Sequence, residues 1–197
     1  MGGPVTEPGA PGPASRARAV TVLAATGAVI LLIDLVTKEL ALRYLADRES
    51  VRLLGGAVYL TVTRNSGAAF SFGRDYTFIF PLITLLVVGW IAWTARRLRS
   101  VPWGVALGLV LGGALGNLTD RMFRAPGPFL GHVVDMVSLF DDRGQVWPVF
   151  NVADSALMTG VGLALLLEVT GRLRDGTRAR ANPRRDPGAS AERGGAR

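Results

Sequence analysis

Residues 101–121 read VPWGVALGLVLGGALGNLTDR, and this stretch decides the fold class of the chain. It carries no charged side chain before Asp120, and roughly 20 apolar helical residues cross the hydrocarbon core of a bilayer. Glycine recurs at every fourth position of one helix face: Gly104, Gly108, Gly112 and Gly116. Such a ridge of small residues lets a second helix pack closely. The stretch therefore predicts a membrane helix whose packing seam continues to a carboxylate.

Three other apolar stretches are long enough to be membrane helices. With residues 101–119, the predicted spans are about 19–36, 76–95 and 150–169. The composition agrees, since 49% of the residues are hydrophobic, 19% are charged and the mean hydropathy is +0.34. We predict an all-α membrane bundle of four transmembrane helices with a small extracytoplasmic β-element, a β-cradle.

The basic residues indicate membrane topology. The formal net charge of +7 could suggest nucleic acid, but the arginines flank the apolar stretches. They precede the first span, join the second to the third and follow the fourth. We therefore expect both termini to be cytoplasmic, and we expect no nucleic-acid partner.

Composition along the chain predicts three parts. Residues 1–15 are rich in Pro, Gly and Ala and should be a disordered extension, residues 16–170 a four-span membrane domain, and residues 171–197 a basic disordered cytoplasmic tail. Within the domain, residues 58–63 alternate apolar and polar side chains, which predicts a β-element in the outer segment 39–75. The second outer segment, about 122–149, could pair with it.

Several chemistries are excluded by absent residues. The chain has no cysteine and one histidine, His132, so it lacks a thiol nucleophile, a Cys-ligated metal and an HExxH zinc site. We expect neither a metal nor another cofactor.

Polar residues within or beside the predicted spans collect at their outer ends. They are Asp34, Lys38, Asn65, Asn117, Asp120, Arg121, Asp135, Asn151 and Asp154. Many are three or four apart and so share a helix face. Ionisable residues in a membrane are costly and mark functional sites, which predicts one shared polar pocket.

Most of these residues also have structural interpretations. Asp34 and Lys38 could neutralise each other, and Asp120 with Arg121 could form a positioning pair. The asparagines could cap helices, and His132 could be a polar residue on the rim.

Asp135 and Asp154 fit a structural role less well. Asp154 has no basic residue three or four positions away, and apolar neighbours of Asp135 should raise the pKa of that carboxyl. Two carboxyl groups brought together would share a proton, so that one acts as base toward water and the other as acid. This pairing can hydrolyse an amide without Ser-His, Cys or metal chemistry.

The chain resembles the lipoprotein signal peptidases (signal peptidase II), aspartyl proteases of bacterial membranes. The resemblance rests on five motifs in order: Asp34-x-x-Thr37-Lys38, NSGAAF at 65–70, GGALGNLTDR at 112–121, VVDM at 133–136 and WPVFNVADS at 147–155. Thr119 stands where the family more often has an aliphatic residue.

The resemblance implies a plasma-membrane endopeptidase, with its site at the extracytoplasmic face, that cleaves diacylglyceryl-modified prolipoproteins before the lipidated cysteine. It makes Asp135 and Asp154 the catalytic dyad, with the supporting residues Asp34, Lys38 and Asp120. The site-lining residues would be Asn65, Gly67, Asn117, Arg121 and Asn151. Partners would be lipid-modified prolipoproteins and membrane lipids, and we expect a monomer.

Three rival functions remain open at this stage. A Ser/Lys peptidase would use Lys38 with Ser66, Ser71 or Ser155. A proton-coupled transporter would need polar groups toward both membrane faces. The cytoplasmic halves of the predicted spans are nearly free of polar groups, and Glu168 is the exception. The third is a purely structural membrane protein.

Overall fold

A computed structural model describes residues 13–67 and 78–178 of the chain. In these residues four α-helices and three strands follow one another. The helices are α1 (Pro13–Leu45), α2 (Ile79–Ala95), α3 (Val101–Phe123) and α4 (Val152–Val169). The strands are β1 (Val51–Leu53), β2 (Val58–Asn65) and β3 (Val133–Leu139).

The glycine ridge of α3 packs against α1. A Cβ atom added to Gly104 would lie 2.6 Å from the carbonyl oxygen of Ala19, and one added to Gly112 would lie 2.6 Å from that of Gly27. A side chain at these positions would therefore collide with backbone. Since both contact points advance in the same direction, α1 and α3 run parallel, at a separation that only glycine permits.

The opposite face of α3 packs against α4. A Cβ on Gly160 would lie 2.8 Å from the carbonyl oxygen of Ala106, while Gly113 approaches the start of α4 at Ala153. The two helices are therefore antiparallel, and α3 is the central helix of the bundle.

The second helix returns along the same bundle. Its first turn brings Phe80 over the guanidinium of Arg121, at the end where α3 finishes. Its last turns bury Ile91 with Trp103, at the end where α3 begins. We call the first of these the sheet end, because it carries the strands, and the other the opposite end.

The three strands form an antiparallel sheet in the order β1-β2-β3. Thr63 pairs with Asp135 and Arg64 with Val134, so these two pairs lie on opposite faces of the sheet. The predicted β-element at residues 58–63 and its predicted pairing with the second outer segment are both confirmed.

The predicted spans are confirmed for three helices. By length and composition α1, α3 and α4 can cross a membrane, whereas α2 has 17 residues and is shorter. The observed α1, Pro13–Leu45, is longer than the predicted span 19–36, since the helix continues through polar residues on both sides of the apolar stretch. The mostly helical fold with a small sheet is established, and the fourth crossing stays a prediction.

Two predicted domain boundaries need correction. Helix α1 begins at Pro13, inside the extension predicted for residues 1–15. The tail predicted from residue 171 is packed as far as Arg178: the backbone N–H of Arg99 donates to Arg174 O at 2.9 Å, and Trp103 Nε1 donates to Arg172 O at 2.7 Å. Backbone carbonyls after α4 thus accept hydrogen bonds from the loop before α3 and from Trp103 in the first turn of α3. Residues 1–12 and 179–197 lie outside the described residues.

The ridge makes a direct prediction for stability. Gly108→Ala should lower the free energy of unfolding by about 1–3 kcal/mol, because its Cβ would lie 2.7 Å from Leu23 O. Gly162→Ala makes the same chemical change in α4, where a Cβ meets nothing within 4 Å, and should be neutral or stabilising. Thermal unfolding in detergent compares the two variants. Equal stabilities would contradict the close packing of α1 and α3.

Candidate active site

A cavity of about 310 Å³ lies at the sheet end, between α2, α3, α4 and the sheet. Its polar lining consists of Asn65, Thr84, Asn117, Arg121, Asp135 and Asp154. One wall is mainly apolar and includes Phe80, Ile83, Val87, Ala114 and Leu157. The cavity thus combines two carboxylates and their amide partners with an apolar wall facing the helices.

Asp135 lies at the third position of β3 and is 2% exposed. Its Oδ2 accepts a hydrogen bond from Asn65 Nδ2 at 3.0 Å, and its Oδ1 accepts one from Asn151 Nδ2 at 2.7 Å. Burial raises the pKa of the Asp135 carboxyl to about 6; nearby Asp154 adds to the rise, and the two amide hydrogen bonds oppose it.

Asp154 belongs to the capping box that starts α4. Asn151 is the N-cap residue, and its Oδ1 accepts from Asp154 N at 2.9 Å while Asp154 Oδ2 accepts from Asn151 N at 3.2 Å. The other carboxylate oxygen, Oδ1, accepts from Asn117 Nδ2 at 2.8 Å. The local sequence Asn-x-x-Asp therefore fixes the orientation of this carboxylate.

Asn151 connects the two carboxylates. Its side-chain amide donates to Asp135, and its backbone N–H donates to Asp154. The structure therefore brings both predicted dyad residues to one cavity, joined through a single residue. Both carboxylates accept from amide N–H groups, and neither has an ion-pair partner among the described residues.

A buried ion cluster lies beneath the cavity. Lys38 is fully buried, and its Nζ lies 2.7 Å from Asp34 Oδ2 and 2.9 Å from Asp120 Oδ2. The same ammonium donates to Asn117 Oδ1 at 3.0 Å. Lys38 thus contacts the asparagine that binds Asp154, and Asp34 and Asp120 are linked to that asparagine through Lys38.

Among the described residues, Asp120 and Arg121, considered as a positioning pair, form no direct ion pair with each other. Asp120 pairs with Lys38 and with Arg124, which lies one helical turn further along α3. Arg121 points to the cavity, where its guanidinium lies 4.9 Å from the centre of the Phe80 ring. Adjacent residues on a helix point about 100° apart, and this separates their partners.

Gly67 lies at the rim of the cavity with φ +90°, a conformation that favours glycine. Its N–H donates to Asn65 Oδ1 at 2.7 Å, and an added Cβ would lie 2.6 Å from the Phe80 ring. Gly67 therefore permits the contact between the end of β2 and α2. The neighbouring Ala68, Ala69 and Ser71 lie outside the described residues.

Sequence reasoning missed the apolar wall of the cavity and the role of Arg124. No signal distinguishes Ile83 or Leu157 from other apolar residues in the spans. The i,i+4 spacing of Asp120 and Arg124 on one helix could have predicted this ion pair. His132 does not line this cavity and lies on the other face of the sheet.

Another cavity, of about 340 Å³, lies at the opposite end of the bundle. There Glu168 pairs with Arg174 at 3.5 Å, and the other charged residues of its lining are Arg97 and Asp175. Among the described residues, no group of three or more His, Cys, Asp or Glu side chains is arranged to hold a metal ion. The candidate active site is the cavity at the sheet end, which holds the hydrogen-bonded carboxylates of buried Asp135 and half-buried Asp154.

Comparison with known proteins assigns the family. The family model for signal peptidase (SPase) II matches residues 26–170, which include every polar residue of the site. The chain belongs to the signal peptidase II family. A bacterial membrane enzyme solved by the in meso method at 1.9 Å resolution is similar in structure, with a TM-score of 0.66 and 26% identity over 76% of this chain and 94% of that chain.

Individual members of the signal peptidase II family are similar over most of their length. The lipoprotein signal peptidase of Mycobacterium tuberculosis (strain ATCC 25618 / H37Rv) is 46% identical over 165 residues, 84% of this chain and 78% of that protein. The lipoprotein signal peptidase of Streptomyces coelicolor is 46% identical over 160 residues, 81% of this chain and 76% of that protein. This family member is therefore a bacterial membrane protein and a protease.

The raised pKa of Asp135 predicts how stability depends on pH. Between about pH 4 and pH 6 the folded protein binds more protons than the unfolded chain, so its stability should fall as pH rises through that window. The loss should be on the order of 3 kcal/mol. Asp135→Asn removes this titration. Between pH 4 and neutral pH, the variant should therefore lose less stability than the wild type does. Chemical denaturation in detergent at several pH values measures both.

The control for net charge is Asp142→Asn, which removes an exposed carboxylate from the turn after β3. If Asp135→Asn loses stability with pH as steeply as the wild type does, the raised pKa of Asp135 is wrong.

Proposed function

We propose that this chain is an aspartic endopeptidase in which Asp135 and Asp154 cleave prolipoproteins before a diacylglyceryl-modified cysteine. Removal of signal peptides from prolipoproteins is the activity of its family. The aspartic mechanism and the cleavage position are our proposal. The observation that carries it is the pair of carboxylates joined by Asn151 in one cavity.

The mechanism follows from a shared proton. Burial favours the protonated form of the Asp135 carboxyl, so we assign Asp135 as the acid and Asp154 as the base. The ionised carboxylate takes a proton from water, whose oxygen attacks the scissile carbonyl carbon, while the protonated carboxyl donates its proton to the carbonyl oxygen. Collapse of the tetrahedral intermediate breaks the C–N bond. The leaving amine takes a proton from the carboxyl that accepted one from water, and a hydroxyl of the intermediate returns a proton to the carboxylate that had donated one. The dyad returns to its initial state with one proton.

The remaining polar residues orient the two carboxylates. Asn65 and Asn151 hold Asp135, and Asn117 holds Asp154. Arg121 lies at the cavity wall with its Nη1 3.4 Å from Gly131 O, and its positive charge is available to the substrate backbone or to the developing oxyanion. Lys38, Asp34 and Asp120 act one layer deeper, through Asn117.

The cavity suits a substrate that carries an acyl chain. Phe80, Ile83 and Val87 lie along one face of α2 and form an apolar wall that begins beside the carboxylates. A diacylglyceryl group on the substrate cysteine would lie against this wall, while the peptide reaches the dyad from the sheet. The β-cradle, β1 to β3, would support the extended segment.

We propose four membrane crossings with both termini cytoplasmic. The return of α2 along the bundle supports the fourth crossing, since Phe80 lies at the sheet end and Ile91 near the opposite end. Arg96, Arg97 and Arg99 lie at the opposite end, and the positive-inside rule places that end in the cytoplasm. The sheet and both carboxylates would then be extracytoplasmic.

The rival functions lack comparable support. Lys38 contacts Asp34, Asp120 and Asn117, and the Ser155 hydroxyl donates to Asn151 O rather than to a base. Ser71 lies outside the described residues. Glu168, the acidic residue that a proton relay would need at the opposite end, pairs with Arg174.

Substitution of the dyad tests the mechanism. Asp135→Asn and Asp154→Asn should each lower the cleavage rate of a diacylglyceryl-modified prolipoprotein by roughly 10²–10⁴-fold or more, because an amide neither accepts nor donates the transferred proton. Asp142→Asn should leave the rate unchanged, and chelators should have no effect. The purified variants are first compared by thermal unfolding, so that loss of folding is separated from loss of chemistry.

Substantial cleavage by either folded dyad variant would exclude the proposed mechanism. Loss of activity in Ser66→Ala or Ser155→Ala with full activity in Asp135→Asn would instead support a serine nucleophile.

Membrane orientation can be tested in a cysteine-free background, since the chain has no cysteine. Arg143→Cys places a thiol on the exposed turn at the sheet end, and Arg97→Cys places one on the exposed loop at the opposite end. A membrane-impermeant maleimide added to spheroplasts should label the first and not the second, whereas both should react after lysis. The reverse pattern would overturn the proposed orientation.

A further inference from the structure

A second cavity at the sheet end lies on the face of the sheet away from the carboxylates. Its volume is about 310 Å³, and three basic side chains line it: Arg64, Arg124 and His132. No acidic side chain lines it among the described residues. We call it the basic pocket. Neither the proposed cleavage nor any residue of the dyad uses it.

The alternation of strand residues separates the basic pocket from the active site. Arg64 pairs with Val134 in the β2–β3 register, and both line the basic pocket. The next residues, Asn65 and Val133, line the active-site cavity. The strands β2 and β3 therefore present Asn65 and Asp135 on one face and Arg64 on the other.

The two arginines of the basic pocket have guanidinium N–H groups that lack a hydrogen-bond partner among the described residues. The Arg64 guanidinium has no hydrogen-bond or ion-pair partner among the described residues. Arg124 pairs with Asp120 through Nε, and its two Nη groups have no partner in that same part of the chain. Asp120 also accepts from Lys38 and from Val134 N, so its charge is shared among three donors. A net positive charge therefore remains at the pocket.

The surroundings of the basic pocket are those of a membrane interface. Phe123 lines it and is 83% exposed, at the last residue of α3. Leu42 lines it from the last turns of α1. By length and composition both helices can cross a membrane, so the sheet end of the bundle lies near one membrane interface. An exposed phenylalanine beside cations at this level is suited to contact acyl chains just below a headgroup.

We propose that the basic pocket binds the phosphate of an anionic phospholipid headgroup. Arginine donates to phosphate oxygens through parallel N–H groups, and the free Nη groups of Arg124 supply this geometry beside the exposed guanidinium of Arg64. The phosphodiester lies between these donors and His132, and the acyl chains lie along Leu42 and Phe123. A free phosphate ion would meet the same donors without the apolar contacts, which favours the lipid.

Binding of short-chain lipids to the purified full-length protein tests the proposal. In neutral detergent, apparent affinities are obtained from the thermal stabilisation produced by phosphatidylglycerol, by phosphatidylcholine and by inorganic phosphate. Phosphatidylglycerol should stabilise the protein at concentrations where the other two do not. Arg64→Gln should weaken this binding roughly fivefold, and Arg64→Lys should restore most of it.

The control is Arg48→Gln, which removes an exposed charge beyond the end of α1, outside the pocket. It should bind phosphatidylglycerol as the wild type does. His132→Gln, at the residue that immediately precedes β3, is a second test and should also weaken binding. Arg124 is left intact because it pairs with buried Asp120.

Three results would overturn the proposal. Equal stabilisation by phosphatidylcholine would exclude recognition of the anionic group. Equal loss in Arg48→Gln and Arg64→Gln would indicate general surface charge. Stabilisation by inorganic phosphate alone would assign the pocket to a soluble anion. Because the readout is binding and not cleavage, each result is independent of the proposed catalytic dyad.

Discussion

The ion cluster of Lys38 with Asp34 and Asp120 is the constraint on which the rest of the site depends. All three side chains are buried, and an unpaired charge in such a position would cost several kcal/mol. The cluster is tolerated because its carboxylates also accept backbone N–H groups: Ala153 N donates to Asp34 at 2.9 Å, and Val134 N donates to Asp120 at 3.1 Å. One lysine therefore joins α1 to α3 directly, and through these carboxylates to the start of α4 and to β3.

This arrangement explains how the dyad residues come from distant parts of the chain and still share a cavity. Asn117 accepts from Lys38 through Oδ1, which leaves its Nδ2 to donate to Asp154. The ammonium thus determines the orientation of the asparagine, since the reversed amide would place two donors together. The glycine ridge makes the cluster possible, because at Gly116 any side chain would collide with the Asp34 carboxylate.

Sequence predicted the parts of this structure that follow from periodicity. The four-residue repeat of glycine identified the packing face of α3, and the alternation at residues 58–63 identified β2. Periodicity gives a face but not the neighbour that occupies it. The i,i+4 spacing allowed a pair of Asp120 with Arg124, but spacing alone did not show that Lys38 of α1 also pairs with Asp120. The separation of the sheet into two chemically different faces required the β2–β3 register, which depends on pairing across about 70 residues. Residues 171–178 pack against the bundle because their backbone carbonyls accept hydrogen bonds from Arg99 and Trp103. Composition alone does not predict such hydrogen bonds.

The partners of the four buried or half-buried carboxylates divide them by role. Asp34 and Asp120 each form an ion pair with the Lys38 ammonium. Asp135 and Asp154 accept from the neutral amides of Asn65, Asn117 and Asn151 instead. Amides orient a carboxylate without contributing a full opposite charge, so burial can still raise the pKa of Asp135 into the range where a proton moves. A lysine placed against Asp135 would favour the ionised carboxylate and would oppose the protonated acid that amide hydrolysis needs. Asparagine at these positions is therefore the chemical difference between the structural carboxylates and the proposed catalytic pair.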